Sequence, residues 1–114
     1  MTAIEVTAVD DGKTVTARPG DEIVVVLPEN ATTGYRWQLD EAGDLVRLLS
    51  DGYREAAAAD DAEPAFGRGG LREFRFAVDG LGAGTVSLKH WREWEGDGSV
   101  TQRVSFMVDV APGD

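Results

Sequence analysis

Short runs in which apolar and polar residues alternate at every second position, each cut off by glycine, proline or aspartate, dominate this chain and leave little room for a long helix. Ile4, Val6 and Ala8 alternate with Glu5 and Thr7. Tyr35, Trp37 and Leu39 share one face, as do Phe74, Phe76 and Val78, and later Val104, Phe106, Val108 and Val110. A period of two is the signature of a strand with one buried face. The interruptions, Asp10-Asp11-Gly12, Arg18-Pro19-Gly20-Asp21 and the glycines at 80, 82 and 84, carry the residues that turns require. About seven such strands, with no strong amphipathic helix among them, predict an all-β fold: an antiparallel immunoglobulin-like β-sandwich, with a small β-barrel as the alternative architecture. The 114 residues suffice for one domain, 1–114, with a core that needs no metal or disulfide.

Within that plan the opening residues read as a hairpin or a kinked first strand. The run Ile23 to Leu27 is apolar on both faces, so it is expected at the centre of a sheet and covered on both sides. Trp37, at mid-strand, is expected in the core. Leu45 to Ser50 fits a short strand or a helix and is expected to close at Asp51-Gly52. The alanine-rich stretch between Tyr53 and Ala65 has no apolar face to pack, which suits a short helical turn or a mobile surface loop.

Charge and cysteine content narrow the function. With 11 basic and 21 acidic residues the formal net charge is −10, which disfavours nucleic acid and anionic membrane as partners, because phosphate binding needs a basic face. The absence of cysteine removes thiol nucleophiles, disulfides and cysteine zinc sites, and leaves the compartment open. Met1 to Val6 has neither a basic n-region nor an apolar h-region, so a cytoplasmic product and a trimmed secreted one fit equally. No apolar run approaches the roughly 18 to 20 residues that span a bilayer.

A catalytic reading is poorly supported. His90 is the single histidine, at the end of an apolar strand, and no serine stands in a nucleophile elbow. The carboxylates are scattered through turns, as on a solvated surface, and no calcium-loop pattern appears; no cofactor is expected. Gly67-Arg68-Gly69-Gly70 is glycine-dense but leads into a strand, whereas phosphate-cradling loops lead into a helix.

Three connections stand out from this frame. In Asn30-Ala31-Thr32-Thr33-Gly34-Tyr35, Asn30 can bond its own backbone, Gly34 can take a positive φ, and the threonines make a stiff tip of hydroxyl groups. The Gly67 to Gly70 stretch leaves backbone bare for another chain to lie against, or is simply a flexible turn. Arg92-Glu93-Trp94 places a tryptophan among charges, the makeup of an interface anchor, unless the ring folds back on its own sheet. If the strands run up and down in order, all three emerge at one end.

In order and spacing, these segments resemble the N-P-T-T-G-[YF], G-x-G-G and R-P-W loop motifs of the chagasin-like inhibitors of papain-family cysteine proteases. The resemblance implies an immunoglobulin-like domain, not an enzyme, that reversibly and without covalent bonding occludes a papain-like protease cleft with loops 28–34, 66–71 and 91–98. It implies protease contact by Asn30, Ala31, Thr32, Thr33, Gly34 and Tyr35 at the catalytic cysteine. Gly67, Arg68, Gly69 and Gly70 would lie along the substrate side, and Arg92, Glu93 and Trp94 on the leaving-group side. The free protein is expected to be a monomer. Ala31 and Glu93 stand where the family has proline: the first removes a φ restraint, and the second adds an acidic group to the contact surface. The alternatives are a binding, scaffold or carbohydrate-recognition module of the same fold without inhibitory activity, and an enzyme built on an unrecognised carboxylate site.

Overall fold

The computed structural model describes residues 3–29, 33–55 and 70–112. Among the described residues eight strands are formed: β1 Ala3–Val6, β2 Thr14–Ala17, β3 Glu22–Glu29, β4 Arg36–Glu41, β5 Val46–Glu55, β6 Gly70–Val78, β7 Gly82–Trp91 and β8 Gln102–Val110. They pack as two four-stranded sheets, ordered β1-β3-β6-β5 and β2-β8-β7-β4. Ile23, Val25, Leu27, Phe74 and Phe76 from one sheet meet Val86, Leu88, Val104, Phe106 and Val108 from the other, all buried. Trp37 joins them at 3% exposure. Each fully buried aliphatic or aromatic side chain contributes about 1.5–3 kcal/mol of apolar burial.

The β-sandwich is as expected; strict antiparallel pairing is not. β1 pairs parallel to β3 and β2 parallel to β8, so both sheets are mixed. The cause is local. The chain breaks at a 3-10 turn, Ala8–Asp10, where Asp10 accepts the Thr7 N–H at 2.9 Å. It then crosses from one sheet to the other, with Asp11 accepting the Ser105 N–H of β8 at 2.8 Å. The opening segment is therefore a kinked strand shared between the sheets. It is not a hairpin, and the split raises the strand count from about seven to eight.

Two further expectations change. β3 has neighbours on both sides, but only its inward residues are fully buried; Val24 and Val26 are half-covered. Opposite Val24 stands Arg75, which bridges to Glu22 and Glu73 so that its aliphatic stem lies on this outer face. The Leu45 region is a strand, and it does not stop at Asp51-Gly52. A register shift between Leu48 and Ser50 absorbs one residue, after which Gly52 pairs with Glu73 and Tyr53 with Arg72. Residues 56–65, where a helical turn or surface loop was expected, lie outside the described residues.

Strand register fixes which connections are neighbours. Glu29, ending β3, pairs with Gly70, beginning β6, and Gly70 pairs with Glu55, ending β5. In the second sheet Arg36, beginning β4, pairs with Trp91, ending β7. The connections β3–β4, β5–β6 and β7–β8 thus leave from one end of the sandwich. At the opposite end, Ala3 pairs with Glu22 and Val110 with Gly82.

Candidate functional site

The described part of the first connection is shaped by two residues. Gly34 has φ +83°, the left-handed conformation that glycine adopts without a Cβ penalty. The Thr33 hydroxyl accepts the Tyr35 N–H at 3.2 Å, closing a short side-chain turn. A Cβ built on Gly34 would lie 2.8 Å from the Trp94 ring, so this glycine is also what lets the third connection approach the first.

The third connection is two 3-10 turns, Glu93–Glu95 and Asp97–Ser99, joined at Gly96 with φ +78°. Ser99 ties its ends together, accepting the Arg92 N–H at 3.0 Å and reaching the Gly96 carbonyl at 2.7 Å. Arg92 then clamps the two connections. Its Nε and Nη2 donate to the Thr33 carbonyl at 3.2 and 3.0 Å, its guanidinium lies 4.4 Å from the Tyr35 ring centroid, and Nη1 reaches Glu95 at 3.3 Å. A second link, Arg36 to Glu93 at 2.9 Å, spans the same gap.

Trp94 is 71% exposed while its far edge touches Gly34, so the ring neither folds back on its sheet nor floats free. Glu93, expected to add an acidic group to the contact surface, is paired with Arg36; both side chains are about half exposed, so the pair neutralises more than it stabilises. Thr33, Gly34, Tyr35, Arg92, Glu93 and Trp94 are therefore brought together. Gly70 begins β6 at the same end of the sandwich, paired with Glu29 and Glu55. Asn30, Ala31, Thr32, Gly67, Arg68 and Gly69 lie outside the described residues. The expected loop bounds overrun into the strands at 28, 71 and 91: Pro28 and Leu71 form a cross-strand pair, and Trp91 pairs with Arg36.

His90, read above as a poor catalytic candidate, has a packing role. Its ring stacks on Tyr35 with centroids 5.4 Å apart and lies against Trp37 at 5.0 Å, while Nδ1 is 3.0 Å from the Thr101 hydroxyl. It thereby carries the core tryptophan's packing up to the loop tyrosine. Burial pushes the imidazole pKa below its ordinary value, against a smaller opposing pull from Glu29. Since the unfolded chain then holds its proton more tightly than the folded one, stability rises with pH across the interval between the two values. The contribution is complete above the unfolded value and is lost as pH falls through the folded one. Denaturant unfolding at pH 7.5 and pH 5 is expected to show a loss on acidification that is smaller in His90→Gln; an identical pH response in the two would refute the assignment.

The fold and the clamped loop pair define a β-sandwich with two connections joined along one end. Residues 16–110 match the family described as chagasin family peptidase inhibitor I42, and the chain belongs to that family. Chagasin from Trypanosoma cruzi is 27% identical over 104 residues, 91% of this chain and 94% of that protein. The cysteine protease inhibitor EhICP2 from Entamoeba histolytica has the same fold, with a TM-score of 0.80 at 22% identity over 97% of each chain. PbICP-C, solved in complex with falcipain-2, is more distant, with a TM-score of 0.50 at 13% identity over 98% of this chain and 92% of that one.

Proposed function

We propose that this protein is a reversible, non-covalent inhibitor of papain-family cysteine proteases, which closes the active-site cleft with loops 28–34, 66–71 and 91–98. The observation that carries the reading is the clamp of Arg92 on the Thr33 carbonyl together with the seating of Trp94 against Gly34, in a member of this inhibitor family. The relatives point the same way: EhICP2 is a cysteine protease inhibitor, and PbICP-C is bound to falcipain-2. In this reading Asn30 to Tyr35 meet the catalytic cysteine, Gly67 to Gly70 offer backbone hydrogen bonds along the substrate side, and Arg92, Glu93 and Trp94 cover the leaving-group side.

Physically, occlusion suits what is present. A plug needs no nucleophile or metal; it needs a surface whose ordering cost is met before binding. The first and third loops are already joined through Arg92 and through Arg36–Glu93. An exposed aromatic held at its far edge is a low-entropy anchor.

The test is titration of the purified protein into papain and a cathepsin-L-like enzyme with a fluorogenic substrate. Stoichiometric or nanomolar, reversible loss of activity is expected. Trp94→Ala should weaken binding by about 2 kcal/mol, roughly 30-fold, as removal of an interface anchor does. An unchanged inhibition constant would remove Trp94 from the contact, and no inhibition by the unaltered protein at tens of micromolar would remove the function.

A further inference from the structure

Among the described residues, Glu29 is the buried charged side chain, 4% exposed. It occupies the inward register of β3 after Ile23, Val25 and Leu27, a position where the pattern calls for an aliphatic residue. Its oxygens are fully engaged. Oε1 accepts the Trp37 backbone N–H at 2.6 Å, and Arg72 forks onto the carboxylate, with Nη2 2.8 Å and Nε 3.2 Å from Oε2. Arg72 Nη1 continues to Asp51 at 3.0 Å, and its guanidinium lies 5.9 Å from the Tyr53 ring centroid. Burial alone would lower the Arg72 pKa, but the hydrogen bonds to Glu29 and Asp51 more than offset it, so the guanidinium stays charged.

These contacts fall at the roots of two loops. Glu29 is the last residue of β3, and Trp37 follows the first connection. Arg72 stands two residues into β6, just after the second connection, while Asp51 and Tyr53 lie on β5, which leads into it. Stability does not explain the choice, since replacing a buried ion pair by apolar residues is often neutral or stabilising. Geometry does: a carboxylate held by a backbone N–H on one side and a planar fork on the other sets strand ends at one spacing. We propose that Glu29, acting with Arg72, is a positioning residue of the binding edge, fixing the roots of the first and second loops relative to each other. Its effect on inhibition rests on the function proposed above; its effect on loop order does not.

The experiment compares Glu29→Gln, Arg72→Lys and the double variant Glu29→Gln/Arg72→Met with the unaltered protein. Gln keeps an acceptor for the Trp37 N–H, Lys keeps the charge without the fork, and the double variant removes the stranded cation, so its unfolding free energy should return towards that of the parent. Amide hydrogen exchange in the free proteins is expected to quicken at Thr33 to Trp37 and at Gly70 to Arg72 in all three. Inhibition should weaken about tenfold or more, equivalent to about 1.4 kcal/mol, and should stay weak in the double variant after stability has recovered. Inhibition that returns together with stability, or exchange that is unchanged at those amides, overturns the proposal. Should the parent protein fail to inhibit any such protease, the inhibitor reading falls by itself and amide exchange alone decides the role of Glu29.

Discussion

Gly34→Ala is expected to abolish most of the inhibitory affinity while leaving a folded protein. Two costs arise at one atom. The new Cβ forces a side chain into the left-handed region at φ +83°, worth roughly 1–2 kcal/mol. It also lands 2.8 Å from Cη2 of Trp94, closer than carbon atoms approach without one of them moving. The ring is 71% exposed, so it can swing away at little cost to folding. Its departure, however, also disturbs Arg92, whose Nε would lie 3.6 Å from the same Cβ and which holds the Thr33 carbonyl. Loss of affinity should therefore equal or exceed the roughly 30-fold effect of removing the indole, with the unfolding midpoint only modestly lowered. Inhibition titrations read beside denaturant unfolding test this. Retained affinity would mean that the seating of Trp94 on Gly34 does not matter in the complex.

Trp37→Ala should produce the largest loss of stability, about 3–5 kcal/mol, as large-to-alanine changes in a packed core do. The ring is buried in the core shared by the two sheets, and its Nε1 donates to the Pro28 carbonyl at 2.9 Å. Truncation leaves a cavity, an unpaired carbonyl and a histidine that has lost one of its two ring neighbours. Small domains have 5–15 kcal/mol in all, so the variant should unfold at markedly lower denaturant, and residual folded protein should inhibit weakly because His90 no longer supports Tyr35. A loss below about 1 kcal/mol would place the ring outside the core.

The strands and most of the core were legible because a period of two exposes them directly: Phe74, Phe76 and Val78, or Val104 through Val110, leave one consistent face to bury. The loop glycine at 34 was legible for the same kind of reason, since only a turn needing positive φ makes sense of glycine between threonine and an alternating strand. Pairings across long sequence separations were not. Nothing in Ala3–Val6 or Thr14–Ala17 says that one lies parallel to β3 and the other to β8, because that depends on a crossover between sheets. Nor could the compensation of Glu93 by Arg36 be seen, as 57 residues separate them in the chain. Glu29 is different. Counting by twos from Ile23 reaches it, so the alternation already marked a carboxylate on the buried face, but a proline at 28 invited the reading that the strand had ended. It continues because Pro28 and Glu29 still pair, with Leu71 and Gly70.

The placement of Ala3 beside Glu22 and of Val110 beside Gly82 has a practical side. β1 starts and β8 finishes at the end of the sandwich opposite the one that carries Trp94. A bead, a fluorescent protein or a second copy of the domain can be attached through either end with a short flexible spacer, and the loops remain open to solvent. Two copies joined tail to tail would present their edges in opposite directions, a geometry suited to bridging two protease molecules and poorly suited to gripping one.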